Sequence, residues 1–409
     1  MRFLMLTTFY PPWSFGGDAQ MVHDLAHALA ARGHDVTVAH SIASYRLLEG
    51  NGSPPLEPER RDGDVRVVVL DEGLGSVGPL ATYLTGRPAL MHRRIEKLLR
   101  ERFDVIHFHN PSLLGAPALF AGGAGVKLLT LHDYWLVCPM NLFTRNRKEL
   151  CTKPTCIRCS LAHRRPPQPW RYTNLLPRSL RQLDALLATS RTSAHLHAPL
   201  ERHVRIEQLP NFVHPDPGVL RREPRHFLFA GRLEPMKGPE RLLPVFAARP
   251  HDALVIAGKG GLERELERRA AGLPNVRFTG RLPLEDLDPL YRDATAVLMP
   301  TVGQESCPLV LLEAQARGIP VIGSDHGALR ELIADGGGGL LFGNDAELHE
   351  ALDRVRDPAL RPALARNARA AYLERFTLDR HLARYFAVIS EFAGARGDRR
   401  LAGEARAAA

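Results

Sequence analysis

A chain of 409 residues, 44% hydrophobic and 24% charged, is long enough for two cores of about 200 residues each, and its composition excludes disorder and a coiled coil. Its 54 Lys and Arg outnumber its 45 Asp and Glu, and the formal charge of +9 favours anionic partners such as nucleotide phosphates or an acidic membrane surface. The basic residues are scattered, as at Arg264, Arg268 and Arg269, without the interleaved aromatics of a single-strand-binding groove, so no nucleic-acid partner is expected.

Residues 3–6 predict a first strand, and Pro11-Pro12 follow too soon for a signal peptide. No run approaches the ~18 apolar residues of a membrane-crossing helix. A cytoplasmic location is therefore expected, with peripheral contact at the inner membrane face as a further expectation. Residues 19–31 predict an amphipathic helix closed by Gly33, and 35–38 the next strand, a βαβ start. Strands follow at 65–70, 105–108, 127–131 and 185–189, with a helix at 89–102, and this alternation indicates a parallel sheet.

Near Leu209-Pro210-Asn211 the pattern breaks into Phe212-Val213-His214-Pro215-Asp216-Pro217-Gly218, a proline-dense linker. Alternation then restarts at 227–230, 253–256, 276–278, 296–298 and 321–322. The fold class is α/β: two Rossmann-like, doubly wound parallel-sheet domains facing an interdomain cleft. The boundaries expected are 1–214, carrying a cysteine-containing insertion at about 138–170, then 215–380, then a C-terminal helix at 381–409 that returns to the first domain. The last thirteen residues, 397–409, predict a frayed tail.

Two motifs carry chemistry. Glu305 and Glu313 flank Ser306-Cys307-Pro308-Leu309, a loop turning into a helix: Ser306 or Cys307 is placed to cap, Pro308 suits the first turn, and Gly318 ends a helix over 309–317. Such a strand-to-helix crossover is where open α/β sheets bind ligands. The second motif, Gly231-Arg232-Leu233-Glu234-Pro235-Met236-Lys237-Gly238, puts two cations on the loop leaving the first strand of the second domain, which suits a diphosphate.

These motifs, followed by Ala314-Gln315-Ala316-Arg317-Gly318-Ile319-Pro320, resemble the donor-binding half of a retaining family 4 glycosyltransferase with the GT-B fold. The first half is similar as well, through Tyr10-Pro11-Pro12 with Gly16-Gly17, Arg32-Gly33-His34-Asp35-Val36, Asp104-Val105-Ile106-His107 and Leu131-His132-Asp133. The resemblance runs over about residues 1–386. It implies transfer of a sugar from a nucleotide-diphosphate sugar to a hydroxyl of a glycan, lipid-linked glycan or small acceptor, with an N-terminal acceptor domain and a C-terminal donor domain. By the same resemblance Arg232 and Lys237 hold the donor diphosphate, Glu313 the ribose hydroxyls, and Glu305, Cys307, Pro308 and Leu309 surround the sugar. Gly16 and Gly17 form the acceptor or phosphate loop, and His132 stands near the reacting centre. Glu305, His132, Arg232 and Lys237 are thus the catalytic candidates, and no cofactor is required. Cys307 and Pro308 depart from the residues common in the family, so donor identity does not follow. Ser190 and Asn211 lie in family-like stretches and equally suit a turn or hinge.

The two-Asp pairs Asp62-Gly63-Asp64 and Asp286-Leu287-Asp288 mimic a metal motif, and their settings predict solvated charges. Cys138, Cys151, Cys156 and Cys159 fall in one insertion, with twelve, four and two residues between them. Four thiolates could close a structural zinc site, with free thiols or disulfides as the other readings, the last disfavoured in the cytoplasm. Residues 79–84 and 89–100 mix apolar and basic residues at helical spacing, as either an interfacial helix or a core helix with a basic face would. The non-catalytic alternative is a GT-B scaffold that binds a nucleotide sugar or glycan without turning it over.

Overall fold

The computed structural model describes all residues except 15, 50–56, 72–74, 76, 89–90, 146–148 and 220–222. The first half contains β1 (Arg2–Thr7), β2 (Asp35–His40), β3 (Glu59–Asp62), β4 (Val65–Val69), β5 (Val105–His109), β6 (Val126–Leu131), the short pair β7 (Thr144–Arg145) and β8 (Glu149–Leu150), β9 (Ala185–Ala188) and β10 (Arg205–Gln208). The second contains β11 (His226–Ala230), β12 (Leu254–Ala257), β13 (Val276–Gly280), β14 (Ala294–Met299), β15 (Val321–Ser324) and β16 (Gly339–Phe342).

The strands form an eight-stranded sheet, ordered β10-β9-β6-β5-β1-β2-β4-β3, and a six-stranded sheet, ordered β13-β12-β11-β14-β15-β16. Every pairing in them is parallel except β3 with β4. Central strands β5, β6, β11 and β14 are buried along their whole length, as continuous apolar runs must be when helices cover both faces. β3 carries Glu59, Arg60, Arg61 and Asp62 on the sheet edge, where charge discourages further pairing. The short strands β3, β7, β8, β10 and β16 are absent from the sequence-based expectation, being charged or only two to four residues long.

The chain crosses between domains twice, at adjacent points. Val213 bridges to Thr377, its N–H donates to the Phe376 carbonyl at 3.1 Å, and its own carbonyl accepts the Tyr372 hydroxyl at 3.1 Å. Thr377 then caps the helix Leu378–Ala395. This helix puts Leu382, Tyr385, Phe386 and Ile389 into the same core as Met5, Leu25 and Val38 of the first domain. The expected frayed tail is corrected here: Arg399–Ala408 is a helix capped by Asp398, with Leu401, Ala402 and Ala405 buried in that core. Its apolar spacing was hidden among the alanines and arginines around it. The helix expected over 89–102 is His92–Leu99, with positions 89–90 outside the described residues.

Among the described residues, His40, His107, His109, His197 and His381 are at most 5% exposed. Burial opposes their protonation, pushing His197 and His381 down to about 4, His40 to about 3, and His107 and His109 well below the ordinary value. The unfolded chain protonates these rings near pH 6.5. Their neutral burial is therefore without penalty above about pH 6.5, and stability is lost as pH falls toward 4, at about 1.4 kcal/mol per pH unit for each ring. Urea unfolding followed by circular dichroism should show a midpoint that drops steeply between pH 6.5 and 5; a constant midpoint would show that the folded protein protonates these rings as readily as the unfolded chain.

Candidate active site

Each sheet reverses its winding once near its middle, the first between β1 and β5 and the second between β11 and β14. Crevices open at such points, beyond the carboxyl ends of the strands. In the second domain the loops leaving β11 and β14 are fused through their backbones. Gly238 has φ +67°, and a Cβ there would stand 2.1 Å from the Pro300 carbonyl oxygen, so glycine is what permits the approach. Met236 offers its carbonyl to the N–H groups of Val302 and Gly303, at 2.8 and 3.2 Å.

This fusion aligns the side chains. Lys237 Nζ donates to Glu305 Oε1 at 2.5 Å, and Thr301 Oγ1 donates to the same oxygen at 3.3 Å. Glu305 is only 9% exposed. Arg232, on the same loop as Lys237, is exposed, and its guanidinium has no ion pair or hydrogen-bond partner among the described residues. One cation is thus committed to a carboxylate while the other is free for an anionic ligand.

The helix after Glu305 is Leu309–Ala316, with Pro308 itself as the extended N-cap. This corrects the expected capping: Ser306 Oγ donates instead to the His132 carbonyl at 2.6 Å, and Cys307 packs in the apolar core, 3% exposed, with its thiol pushed up to about 12 by burial. A thiol so placed lines no ligand surface. Gly318, at φ +67°, ends the helix as expected. Glu313 is half-buried and accepts the Tyr291 hydroxyl on Oε2 at 2.6 Å. Burial raises its pKa, with Asp24 of the first domain adding to the rise and Tyr291 and Arg317 opposing it. Leu309 meets the first domain: a Cβ on Gly17 would lie 3.1 Å from its side chain.

The opposite wall is built at the first domain's reversal. Thr8, after β1, donates its N–H to the Asn110 carbonyl after β5 at 3.2 Å, and Asn110 Nδ2 donates to Asp18 at 2.9 Å. Gly16, at φ +99°, turns the chain into the helix Gly17–Ala30. His132 follows β6, with its Nε2 3.0 Å from His109 Nδ1, and burial holds its pKa down at about 4, so the ring is neutral near pH 7.

The loop that carries Glu305 is grasped from the first domain and the linker. Gln304 N donates to the Leu142 carbonyl at 3.2 Å, Tyr134 Oη to the Glu305 carbonyl at 2.8 Å, and Asn211 Nδ2 to the Cys307 carbonyl at 2.9 Å. With the Ser306 bond, these place His132 and Glu305 on facing sides of one seam. Tyr134, His109, Tyr291 and Thr301 escape the sequence reading; only the position of His109 at the carboxyl end of β5 could have signalled it. Ser190 is the N-cap of Arg191–His197.

The insertion with four cysteines forms the hairpin β7–β8 and the helix Cys156–Ala162. All four thiols are free and half-buried, and they lie close enough that Cys138, Cys156 and Cys159 add to burial in raising the pKa of Cys151. No three of the sulfurs lie within 4.8 Å of one another. The insertion rims the cleft through Leu142 and through Thr144, which a Cβ on Gly303 would meet at 3.6 Å. Of the two-Asp pairs, neither is simply solvated: Asp288 accepts from Arg292 and Arg317, and Asp62 faces His23 and His27. No described helix is long and apolar enough to cross a membrane. The helix Val77–Thr85 leaves Val77, Leu80 and Leu84 exposed.

The two cations should separate in their effect on stability. Lys237→Ala strands a nearly buried carboxylate and is expected to cost about 2–3 kcal/mol, whereas Arg232→Ala should change stability by less than about 0.5 kcal/mol while lowering activity. Denaturant curves of both variants check this; equal losses would show that Lys237 does not compensate Glu305.

Comparison with known proteins covers most of the chain. Residues 16–211 match the family described as glycosyl transferase 4-like domain, and residues 214–371 the family glycosyl transferases group 1. A glycogen synthase of Mycobacterium tuberculosis is 28% identical over 408 residues, covering 93% of this chain and 91% of the relative. A D-inositol 3-phosphate glycosyltransferase of Frankia alni is 41% identical over 160 residues, 34% of this chain and 39% of that relative's length. Among solved structures, a sucrose-phosphate synthase of Thermosynechococcus elongatus superposes with TM-score 0.69 at 18% identity, covering 97% of this chain and 98% of the other. HepE of Anabaena in complex with UDP-glucose does so with TM-score 0.65 at 17% identity, covering 97% and 99%. These last two similarities are of fold.

Proposed function

Because the chain belongs to the family 4 glycosyltransferases and has their GT-B fold, we propose that it transfers a sugar from a nucleotide-diphosphate donor to an acceptor hydroxyl, retaining anomeric configuration. The observation that carries this reading is the Lys237–Glu305 pair beside the unpartnered Arg232, at the winding reversal of the second sheet and across a seam from His132. UDP-glucose in the HepE complex supports a donor of this class.

The barrier to such a transfer lies in the charge that builds on the departing diphosphate. Arg232 and Lys237 supply fixed positive charge there, and the N–H groups of Leu309 and Val310, at the start of the helix, have no partner within it to compete for them. One well-aimed donor of this kind is worth ~3 kcal/mol. As the diphosphate draws on Lys237, the carboxylate of Glu305 is released to orient the sugar and to balance positive charge developing on its ring. Glu313 has Oε1 free for the ribose hydroxyls, since Tyr291 occupies Oε2. His132, neutral at pH 7, donates or accepts a hydrogen bond at the sugar without adding charge. The donor phosphate itself takes the acceptor proton in a front-face attack, so no Ser-His-Asp arrangement is needed.

Glu305→Ala is expected to lower kcat at least about a hundredfold with donor affinity nearly unchanged, and Glu313→Ala to weaken donor binding instead. Donor affinity should also fall on acidification at a pH above the ordinary glutamate range, because Glu313 protonates early. Calorimetry and turnover with a panel of nucleotide sugars, offered free and vesicle-borne acceptors, check these effects. Binding without transfer or hydrolysis for every donor would favour the non-catalytic scaffold, and the vesicle arm tests contact of Val77, Leu80 and Leu84 with a membrane.

The cysteine insertion fits a structural zinc ion by donor chemistry alone: Cys138 ahead of the hairpin, Cys151 just after it, and Cys156 and Cys159 on the helix could supply four thiolates. Such an ion would brace Leu142 and Thr144 against the loop before Glu305. Metal analysis should find one zinc per chain in the wild-type protein and none at this site in Cys156→Ser; equal contents would remove the proposal.

A further inference from the structure

The helix Gly17–Ala30 carries His23 and His27 one turn apart, with ring centroids 4.3 Å from each other. Asp62, at the end of β3, reaches toward both: its Oδ2 is 3.6 Å from His23 Nε2 and 3.4 Å from His27 Nε2, and one ligand atom from each residue lies within 4.8 Å of the others. Neither contact is a formed hydrogen bond, and His27 Nε2 is shielded from solvent without a partner. Apart from ion pairing with a protonated ring, direct contact leaves the arrangement unexplained.

A shared ion explains it. Ligands bound at about 2.0–2.1 Å in tetrahedral directions stand about 3.3 Å apart, close to the two distances observed. The orientation of His23 points the same way, since Asp24 Oδ1 lies 3.2 Å from its Nδ1 and leaves Nε2 to face the centre. A carboxylate behind a ligating imidazole fixes its tautomer and raises its basicity. Tyr10, whose ring lies 5.7 Å from that of His23, places its hydroxyl near Asp62, and burial together with that carboxylate raises its pKa. The three ligating side chains are 28–34% exposed, which gives an ion a way in and a water a fourth position.

We propose that His23, His27 and Asp62 form a binding site for a borderline divalent cation, of the zinc, cobalt or nickel kind, outside the sugar-transfer centre. Two imidazoles and one carboxylate suit these ions, while magnesium and calcium require oxygen ligands. The ion ties the hairpin β3–β4 to the helix that starts at Gly17. It also holds His23 against Asp24.

Cobalt(II) titration of the chelator-treated full chain, followed by absorption, separates this site from the cysteines, because only thiolate ligands add an intense near-ultraviolet charge-transfer band. In Cys156→Ser, one equivalent of cobalt should bind with visible bands alone, zinc should displace it, and millimolar magnesium should not. His27→Gln and Asp62→Asn should each weaken binding at least about tenfold, with unchanged melting in EDTA as the control for folding. Unchanged affinity in both variants overturns the proposal. So does a wild-type titration in which every bound cobalt carries the thiolate band, a result that needs no variant.

Discussion

Four hydrogen bonds at residues 304–307 hold the site together, three on the backbone and one from a side chain: from Gln304 to Leu142, from Tyr134 and Asn211 to the Glu305 and Cys307 carbonyls, and from the Ser306 hydroxyl to His132. None of them recognises a substrate. Each contributes on the order of 1 kcal/mol, so together they fix the geometry of the cleft without locking it beyond the reach of a ligand's binding energy. The chemistry of Glu305 depends on this grip, because its carboxylate is held by Lys237 from one domain while its carbonyl is held by Tyr134 from the other.

Beneath the grip lies close packing of backbone on backbone. Gly238 lets the cation loop touch Pro300, and Gly258, at φ +154°, lets β12 end where a Cβ would stand 1.8 Å from the Gly231 carbonyl oxygen. The cation loop is thus wedged between two neighbours and has little freedom to carry Lys237 elsewhere. Positioning of this kind is inexpensive during catalysis because it is established on folding.

Much of this was legible in the sequence. Apolar runs separated by helical stretches marked the parallel sheets, and Arg232, Lys237, Glu305 and Glu313 followed from loops at strand ends. What escaped was whatever depends on contacts distant in sequence. Cys307 looks like a loop residue until the helix Leu309–Ala316 turns its thiol into the core. Tyr134 resembles any aromatic beside a strand, and its bond to Glu305 spans 171 positions. Asp62 gave no sign of the two histidines on another element. The final helix was missed because alanine and arginine carry a weak hydrophobic pattern, although three of its residues complete a core.

That completion bears on the order of assembly. Met5 and Leu25 share their core with Tyr385, Phe386 and Leu401, and His107 hydrogen-bonds the Tyr385 hydroxyl at 2.9 Å. During synthesis the whole second sheet leaves the ribosome before the first domain has received its last core residues. The first domain must wait with an apolar face uncovered while its neighbour folds, so a truncation that spares every residue of the cleft would still leave that face open to aggregation.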